Sequence, residues 1–592
     1  MKRLLAVFAS LLVASAAIAI PFPPEKEKWL KLTSGEFRLF SNATERETQE
    51  IATNLLRMRE AVGKITQLKV RSPLPMYVFV FKNERSFAPY RDAIFQRRNA
   101  NVTGGFLSSR NANFVVLQGD SAAGVDRVVY HELTHYFVEN TLAGLPLWFN
   151  EGIAEYYSTF SVSGEKVSIG KAVPEHVVWL RDGNVMPLAD LFAVDSHSPD
   201  YSEGRRQGVF YAESWALFHY LIVGNEQRRP QLPMFLSLIR AGMSNEEAFT
   251  TAFRTTYADL ERELRTYVRR PTMGYVSYAL AELPIPALSP PQIAARDEVL
   301  YALGNLLAHS NTSTIGDGAM FLEESVRSNP KNAEAHAALG YVHEVRNDRA
   351  SATAEYEKAV ALNSSDAEVY IAYGATILER AGENRRETEI TRARKLFERA
   401  VQLDANSARG YAGIGATYVI SEEDSAPGIA ALEKSLSLAA SQQDVAFNLI
   451  QLYARVGRRN DAQRVFDSIL AGSGDPEQVR QGREAVLLAD VKLSEDLLSE
   501  GKTAEATAMM RKILGATTND RLKAHLQRVL AAEEQYALRD KQIAIIETAL
   551  EKAKAGKFKD ALKIVDDLLP QITDAELKDH AQKLRADLAK VK

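Results

Sequence analysis

Residues 131–157 read HELTHYFVENTLAGLPLWFNEGIAEYY, and this stretch decides the fold predicted for the first half of the chain. It begins with His131 and His135, four residues apart. Side chains at positions i and i+4 lie on one face of a helix, so both imidazoles can point at one ion. Glu132 lies beside that face, where its carboxylate can act as a general base on a metal-bound water. Valines ahead of His131 recur with helical spacing, which predicts that the segment is a helix.

A second helix is predicted after the turn that contains Gly144 and Pro146. This helix carries Glu151 and Glu155, which are also four residues apart, so both can face the histidines. A hydrolytic zinc site needs three protein ligands and an open position for water. The chain has no cysteine, so any metal must be held by His, Asp or Glu. The third ligand is therefore expected on this second helix.

The segment WFNEGIAEYY, residues 148–157, resembles the Asn-Glu-Gly-x-Ala-Glu/Asp segment of the gluzincin metallopeptidases. It is most similar to the peptidase MA-like and aminopeptidase N-like group. The resemblance implies an α+β thermolysin-like catalytic domain that binds Zn²⁺ through His131, His135 and Glu151, with Glu132 as the base. It also implies that Glu155 accepts a hydrogen bond from a ligand histidine and so fixes the orientation of the ring. A solvated helix glutamate is the alternative interpretation of Glu151 and of Glu155.

The chain departs from the aminopeptidase N-like pattern in two places. Fifteen residues separate His135 from Glu151, slightly fewer than is usual in that group. The Gly-Ala-Met-Glu-Asn segment, which recognises the free amino end of a substrate in that group, has no counterpart ahead of His131. The resemblance therefore does not extend to aminopeptidase specificity.

A later segment, residues 208–221, reads GVFYAESWALFHYL and resembles the helix that begins with a tyrosine over the zinc in this clan. The resemblance implies that the Tyr211 hydroxyl stabilises the oxyanion of a tetrahedral intermediate. A core aromatic residue is the alternative for Tyr211. His219, on the same predicted helix, is interpreted as a packed or surface residue rather than a catalytic one.

The region before His131 is predicted to mix strands with a helix. Residues 35–42 and 75–83 have the composition of strands, and residues 44–65 have apolar positions at helical spacing. Residues 106–118 are predicted to form a hairpin whose turn is SSRNAN. From residue 124 to about residue 270 the signals are mostly helical.

The second strand of that hairpin, residues 113–118, is predicted to lie at the edge of the sheet beside the active-site helix. In the clan that the chain resembles, such an edge strand binds the substrate backbone by strand addition. An extended peptide is therefore the expected substrate class, with Asn113, Phe114, Val115 and Val116 as the substrate-binding residues.

Length and charge limit the class of protein further. The chain has 592 residues, too many for one core, so two or more domains are expected. Its formal net charge is −4, from 72 basic and 76 acidic residues, which gives no reason to expect nucleic acid or an anionic membrane as a partner.

The first residues have the features of a targeting segment. Lys2 and Arg3 precede an apolar run, and Ala17-Ile18-Ala19 fits a small-x-small cleavage site. This pattern predicts a signal peptide over residues 1–19, with a periplasmic or secreted mature protein. An uncleaved membrane anchor is the alternative. No later apolar run is long enough to span a bilayer.

A proline-rich segment, ELPIPALSPPQ at residues 282–292, interrupts the chain. Its four prolines exclude a long helix or a central strand. We predict a catalytic domain over residues 20–281 and a linker over residues 282–296. The alternative is an ordered proline-rich loop inside one domain.

Helical repeats are predicted after the linker. The glycines of Leu303-Gly304, Leu339-Gly340, Tyr373-Gly374 and Ile414-Gly415 are 36, 34 and 41 residues apart. Each is followed by a second apolar helix with small residues at fixed offsets, a pattern that resembles the tetratricopeptide repeat. The resemblance implies an all-α solenoid over residues 297–470 that binds a protein or peptide partner. Residues 471–592 are predicted to form further, looser hairpins.

Three hypotheses for function follow. The leading one is an exported zinc metallopeptidase that hydrolyses peptide bonds and carries a repeat domain for protein or peptide binding. The second is a non-catalytic repeat protein whose first domain is metal-stabilised or inactive. The third is a zinc hydrolase that acts on a bond other than a peptide, such as a cell-wall cross-link.

Overall fold

A computed structural model provides the structure of the protein. It describes residues 20–591 apart from residues 36, 67–73, 97–102, 110, 120–126, 140–144, 183–184, 196–197, 203, 241–242, 385, 422, 440–441 and 472–474. The predicted signal peptide and the predicted turn at Gly144 lie outside the described residues. The chain divides into two compact units, residues 1–449 with 467–475 and residues 450–466 with 476–592.

The first unit contains a six-stranded mixed sheet with the strand order β4-β5-β3-β2-β1-β9. Strands β2, β3 and β5 run parallel to one another, whereas β4, β1 and β9 are each antiparallel to their neighbours. The strands are β1 (Leu30–Ser34), β2 (Phe37–Ser41), β3 (Met76–Phe81), β4 (Gly104–Ser108), β5 (Asn113–Gln118) and β9 (Gln292–Ile293).

The predicted strands and the predicted hairpin before His131 are confirmed, but the assignment of the edge strand is wrong. β5 pairs with β4 on one side and with β3 on the other, so its backbone groups are already hydrogen-bonded within the sheet. Phe114, Val115 and Val116 are fully buried, and Asn113 is buried with them. The edge strand is β4, whose sequence GGFLS is short and rich in glycine and therefore gives a weak strand signal.

Helices cover both faces of the sheet, which explains why every residue of β3 is buried. One face carries Val78, Val80 and Val115 and packs into the core around the predicted metal-binding helices. The other face carries Phe79 and Phe114 and packs against residues 299–307 and Phe321, which belong to the first two helices after the proline-rich segment.

The helices that hold the site follow the main sheet, and a small second sheet lies among them. The second sheet, which the sequence did not predict, has the order β6-β7-β8. Its strands are β6 (Ser161–Ser163), β7 (Lys166–Ile169) and β8 (Val276–Ala279). The helices of this region are α1 (Glu45–Thr66), α2 (Glu84–Phe95), α3 (Arg127–Glu139), α4 (Leu147–Ser158), α5 (Pro174–Arg181), α6 (Leu188–Ala193), α7 (Pro199–Ser202), α8 (Gly204–His219) with a π-helical continuation (Tyr220–Gly224), α9 (Gln231–Arg240), α10 (Asn245–Phe253), α11 (Tyr257–Val268) and a 3₁₀ turn (Leu280–Glu282).

Helical hairpins follow, as the repeat pattern predicts. Gly340 allows close packing, because a Cβ added there would lie 2.9 Å from the ring of Tyr356 in the next helix. The helices are α12 (Arg296–Ser310), α13 (Ile315–Ser328), α14 (Ala333–Val345), α15 (Arg349–Ala361), α16 (Ala367–Asn384), α17 (Glu387–Leu403), α18 (Ala408–Ile420), α19 (Ala426–Leu438), α20 (Gln443–Arg455) and α21 (Arg459–Val465) with a π-helical continuation (Phe466–Leu470).

The segment predicted as a linker contains β9, which pairs with β1 of the main sheet. The predicted domain bounds stay predictions. Two further polar contacts join the sheet to repeat helices of the same unit. Arg38 on β2 pairs with both carboxylate oxygens of Asp366, at 2.5 and 2.8 Å. Arg409 on α18 donates to the backbone oxygen and the side-chain oxygen of Asn111, at 3.3 and 3.2 Å, in the turn between β4 and β5.

The second unit is helical throughout its described residues. Its longest helix has 35 residues, and the cores of its hairpins include Met510 with Leu526 and Ile546 with Val565. Besides α21 and part of α20, its helices are α22 (Pro476–Ser499), α23 (Thr503–Ala516), α24 (Asp520–Lys554), α25 (Phe558–Leu568) with a 3₁₀ turn (Leu569–Gln571), and α26 (Ala575–Lys590). Across the part of the chain that the structure describes, no helix combines the length and the apolar character that a membrane span needs.

Candidate metal centre

Helix α3 places two histidines side by side at the heart of the first core. His131 and His135 are one turn apart, and their Nε2 atoms lie 2.9 Å from each other. Both rings are largely buried, with side-chain exposures of 12% and 16%. The i, i+4 spacing in the sequence thus brings two nitrogen donors to a single point.

Helix α4 brings a carboxylate to the same point. The Oε2 atom of Glu151 lies 3.3 Å from His131 Nε2 and 3.3 Å from His135 Nε2. Gly152, the next residue, lets α4 approach α8 closely, since a Cβ added there would lie 2.5 Å from the backbone oxygen of Ser214. The glycine of the NEGIAE segment therefore has a packing role that helps to set the position of Glu151.

These three residues fit a metal ion by an observation that is independent of their spacing in the sequence. Glu151 Oε2 is fully buried and has no hydrogen-bond partner, because its contacts at 3.3 Å lack hydrogen-bond geometry. Such a buried oxygen is costly unless another group satisfies it. Ligand atoms of tetrahedral zinc lie roughly 3.4 Å apart for bond lengths of about 2.0–2.2 Å. Among the residues that the structure describes, His131, His135 and Glu151 are the group whose donor atoms converge closely enough to hold a metal.

The outer nitrogens of both histidines face oxygen acceptors. Glu155 Oε1 lies 3.3 Å from His131 Nδ1, and Asn150 Oδ1 lies 3.2 Å from His135 Nδ1. A proton on each Nδ1 leaves the Nε2 lone pairs directed at the shared point. The structure thus places Glu155 beside His131, and its role behind a metal ligand stays a prediction, whereas Asn150 was not predicted from the sequence.

Glu155 is itself held by two cationic or polar groups. Its Oε2 atom lies 3.0 Å from His176 Nε2 and accepts a hydrogen bond from Arg127 Nη2 at 3.1 Å. Burial raises the pKa of Glu155, but its hydrogen bonds to His131 and His176 lower the pKa by more than burial raises it. The net pKa of Glu155 therefore lies below its usual range. Glu155 is thus a fixed anion behind the first histidine.

The charges of this cluster favour a cation at its centre. Burial lowers the pKa of His131, but Glu151 and Glu155 raise it more strongly, to about 10. Burial opposes ionisation of Glu151, yet the two histidines lower its pKa to about 2. Two buried carboxylates therefore require compensating positive charge, which either protons on the imidazoles or a metal ion can supply.

Two tyrosines lie over the cluster. The Tyr201 hydroxyl donates a hydrogen bond to Glu151 Oε1 at 3.1 Å. Its ring stacks on that of Tyr211, with centroids 6.2 Å apart, and the Tyr211 ring lies 6.0 Å from that of His131. Burial is the largest cause of a raised pKa in both, to about 12 for Tyr201. Both phenols are therefore neutral hydrogen-bond donors at neutral pH.

The remaining predicted residues have different surroundings. Glu132 is half-buried on α3 beside His131. His219 is a core residue, in agreement with the packed interpretation. Its Nε2 lies 2.7 Å from the Gly170 carbonyl oxygen, and its Nδ1 lies 2.7 Å from the Tyr267 hydroxyl. Burial lowers the pKa of His219 to about 4, so this ring is neutral.

Four residues of the site were not predicted from the sequence, because their contacts depend on the packing of separate helices. They are Arg127, Asn150, His176 and Tyr201. His176 and Tyr201 lie on the short helices α5 and α7, where no periodic pattern marks them. The HExxH spacing depends on one helix, whereas these contacts depend on how separate helices pack. Only Asn150 carried a signal in the sequence, because it directly precedes Glu151 in the NEGIAE segment.

Comparison with known proteins gives one family match and several short or weak matches. Residues 54–270 match the Peptidase MA superfamily. Superkiller complex protein 3 of Mus musculus is 30% identical over 112 residues, which cover 19% of this chain and 7% of that protein. Cellulose synthase operon protein C of Xanthomonas axonopodis pv. citri is 30% identical over 115 residues, again 19% of this chain and 7% of that protein. The chain thus spans about 7% of the length of these relatives.

Solved structures with helical repeats show only weak likeness. A structure of Pseudomonas aeruginosa pilF has 23% identity, covers 37% of this chain and 91% of its own, and gives a TM-score of 0.27. YrrB, described as a TPR protein with an unusual peptide-binding site, has 16% identity, covers 31% of this chain and 90% of its own, and gives a TM-score of 0.26.

Proposed function

We propose that the protein is a zinc-dependent metallopeptidase of the gluzincin type, with a thermolysin-like catalytic domain. The observation that carries this proposal is the buried, unbonded Oε2 of Glu151, which faces the Nε2 atoms of His131 and His135. The match of residues 54–270 to the Peptidase MA superfamily supports it.

The proposed roles of the residues follow from their positions. His131, His135 and Glu151 would hold the ion, which supplies a Lewis acid and lowers the pKa of a coordinated water towards about 7. Glu132 takes a proton from the attacking water and passes it to the leaving amine. Tyr211 would donate a hydrogen bond from its hydroxyl group to the developing oxyanion. Tyr201 holds Glu151 through Oε1 and so leaves Oε2 for the metal.

The substrate is proposed to be an extended peptide that pairs with the free edge of β4. β4 pairs with β5 alone among the described strands, so its other edge can accept a strand. It also packs beside the site helix, since the ring of Phe106 lies 5.9 Å from that of Tyr136 on α3. The predicted substrate site thus moves from β5 to β4, and the substrate class stays the same.

The repeats are proposed to bind a protein or peptide. A cavity of about 660 Å³ lies among the repeat helices of the first unit, and its lining includes Tyr341, Thr376, Arg409 and Asn448. Asn111 of the β4–β5 turn also lines it. Stacked helical repeats generally bind their partners on concave surfaces of this kind. Export to the periplasm or beyond the cell stays part of the proposal.

Metal content and peptide cleavage together test this function. We expect about one zinc per chain in the wild-type protein and cleavage of unfolded protein substrates. Glu132→Gln should retain the zinc and lose at least about 100-fold in rate, because the base contributes about that much or more. Glu226→Gln, at an exposed position, is the matched control and should cleave normally.

Three results would overturn the proposal. A wild-type chain that binds no zinc excludes the metal centre. A zinc-loaded chain that cleaves no unfolded protein or peptide library favours the second hypothesis, a non-catalytic repeat protein. New chain ends in purified cell wall, without cleavage of protein, favour the third hypothesis.

A further inference from the structure

Ile20 is buried although it lies at the extreme start of the described chain. Its exposed fraction is 7%, and it belongs to the apolar cluster behind the main sheet, together with Leu300 and Phe321 of the first two repeat helices. Phe22 packs edge-on against Phe321, with ring centroids 4.7 Å apart. Arg296 donates a hydrogen bond to the Pro23 carbonyl oxygen at 3.2 Å. The segment from Ile20 to Pro23 is therefore held in place at several points.

The backbone nitrogen of Ile20 faces a carboxylate. It donates to Asp317 Oδ1 at 3.3 Å, across nearly three hundred residues of sequence. This is the only hydrogen bond or ion pair that the Asp317 side chain makes with the described residues. Asp317 is the third residue of α13, where an acidic side chain commonly bonds back to the start of its own helix. Here the side chain is directed to Ile20 instead.

We infer that hydrolysis of the peptide bond between Ala19 and Ile20 creates an ion pair. Its two partners are the new α-ammonium group of Ile20 and the carboxylate of Asp317. Water adds across the peptide bond, Ala19 keeps the new carboxylate, and Ile20 keeps the amino group, which takes up a proton. The hydrolase is an external leader-removing endopeptidase, in line with the small-x-small sequence Ala17-Ile18-Ala19.

The chemistry of the pair explains why the cut position matters. In the uncut chain Ile20 offers a neutral amide N–H, whereas in the cut chain it offers a charged donor to the same oxygen. Hydrogen bonds between ionised partners are shorter and about twice as strong as neutral ones. The ammonium group also needs little further ordering, because Ile20, Phe22 and Pro23 are already anchored. Removal of residues 1–19 thus adds an interaction that the precursor lacks, and ties the mature N-terminus to the first repeat hairpin.

A double-mutant cycle tests the pair independently of peptidase activity. One pair of proteins begins at Ile20, as wild type and as Asp317→Asn, and is released from a fusion partner with a native terminus. A second pair carries one added glycine before Ile20. The nitrogen of Ile20 is then an amide again, and the α-ammonium group lies on the added glycine. We expect the Ile20-first wild type to melt on the order of 2 °C above its glycine-extended form. The same extension should have no effect in the Asp317→Asn background.

Each remaining outcome counts against the inference. Equal melting temperatures for the two wild-type forms, or an equal effect of glycine in both backgrounds, would show that the charge does not pair with Asp317. N-terminal sequencing of the full chain produced with its own leader and recovered after export should give Ile-Pro-Phe-Pro. A different first residue would overturn the assigned cut. If the Asp317→Asn chain fails to fold, the glycine extension of the wild type still decides the result.

Discussion

At the scale of single residues, the candidate site depends on which nitrogen of each histidine carries a proton. Glu155 and Asn150 accept at the two Nδ1 atoms, so that the two Nε2 atoms meet Glu151 Oε2. Loss of one acceptor frees the imidazole to adopt its other tautomer, which points a proton at the metal position.

Glu155→Gln tests this support. We expect zinc affinity to fall about 10-fold to 100-fold, the usual cost of losing a partner behind a metal ligand. Competition with a chelator of known affinity measures the change. Glu175→Gln is the control, because Glu175 is more exposed and lies 3.6 Å from Arg127 without contacting a ligand histidine. Equal affinity in wild type and Glu155→Gln would contradict the proposed role.

Glu213 lies in the same core, and its burial makes the stability of the protein depend on pH. Glu213 on α8 is fully buried, and burial raises its pKa to about 8, although the Met186 backbone N–H donates to its Oε2 atom at 2.8 Å. The folded chain therefore keeps this carboxyl protonated at pH values where the unfolded chain ionises it. Stability from this group is present below about pH 4.5 and falls as the pH rises to about 8.

Glu213→Gln should remove that dependence. The unfolding free energy of the wild type should fall, relative to the variant, by up to about 1.4 kcal/mol per pH unit between pH 5 and pH 8. Urea unfolding in the presence of a chelator measures it without a contribution from metal binding. The exposed Glu226→Gln variant should follow the wild type, and parallel curves for Glu213→Gln would refute the assignment.

At the scale of helices and strands, the position of the third ligand depends on the approach of α4 to α8. Gly152→Ala places a methyl group 2.5 Å from the Ser214 carbonyl oxygen, so the helices must separate. We expect a loss of about 1–3 kcal/mol in stability, as for other overpacked sites, together with weaker zinc binding. Gly316→Ala is the matched control, because a Cβ there meets nothing within 4 Å. Thermal melts and metal titration of both variants decide the point.

The sequence was informative at this scale where one helix or strand carries the whole signal. The spacing of residues 44–65 and of His131 with His135 depends on a single helix, and those predictions agree with the structure. The order of strands in the sheet depends on contacts between distant segments. β4 takes the edge because β5 pairs in parallel with β3, and nothing local in GGFLS records that choice.

At the scale of the whole molecule, the six-stranded sheet and the first repeat helices share one core. Phe79, Phe114 and Val116 on the sheet pack with Leu303 and Leu306 of α12. The sequence predicts a domain that ends at residue 281, because four prolines follow. Proline excludes regular structure over a few residues, but it does not exclude close packing of the chain on either side.

Truncation tests the predicted bound. A chain of residues 20–281 should be insoluble or lack a cooperative melt, because the sheet face that carries Phe79 and Phe114 loses the cover that α12 and Phe321 provide. A chain of residues 20–475 keeps that cover and should melt cooperatively. Circular dichroism and calorimetry compare the two, and a cooperative melt for residues 20–281 would restore the sequence-based boundary.

The polar contacts from Arg38 to Asp366 and from Asn111 to Arg409 connect the sheet to repeats as far as α18. A gene that gains or loses whole hairpins by recombination can therefore do so most easily after the hairpin that begins with α18. Hairpins up to α18 are expected to be inherited together with the sheet, because they contact it. Later hairpins depend chiefly on their immediate neighbours, as in other stacked arrays. Descendants of such a gene would differ most in the length of their C-terminal half, while the six-stranded sheet and the hairpins that contact it change as one block.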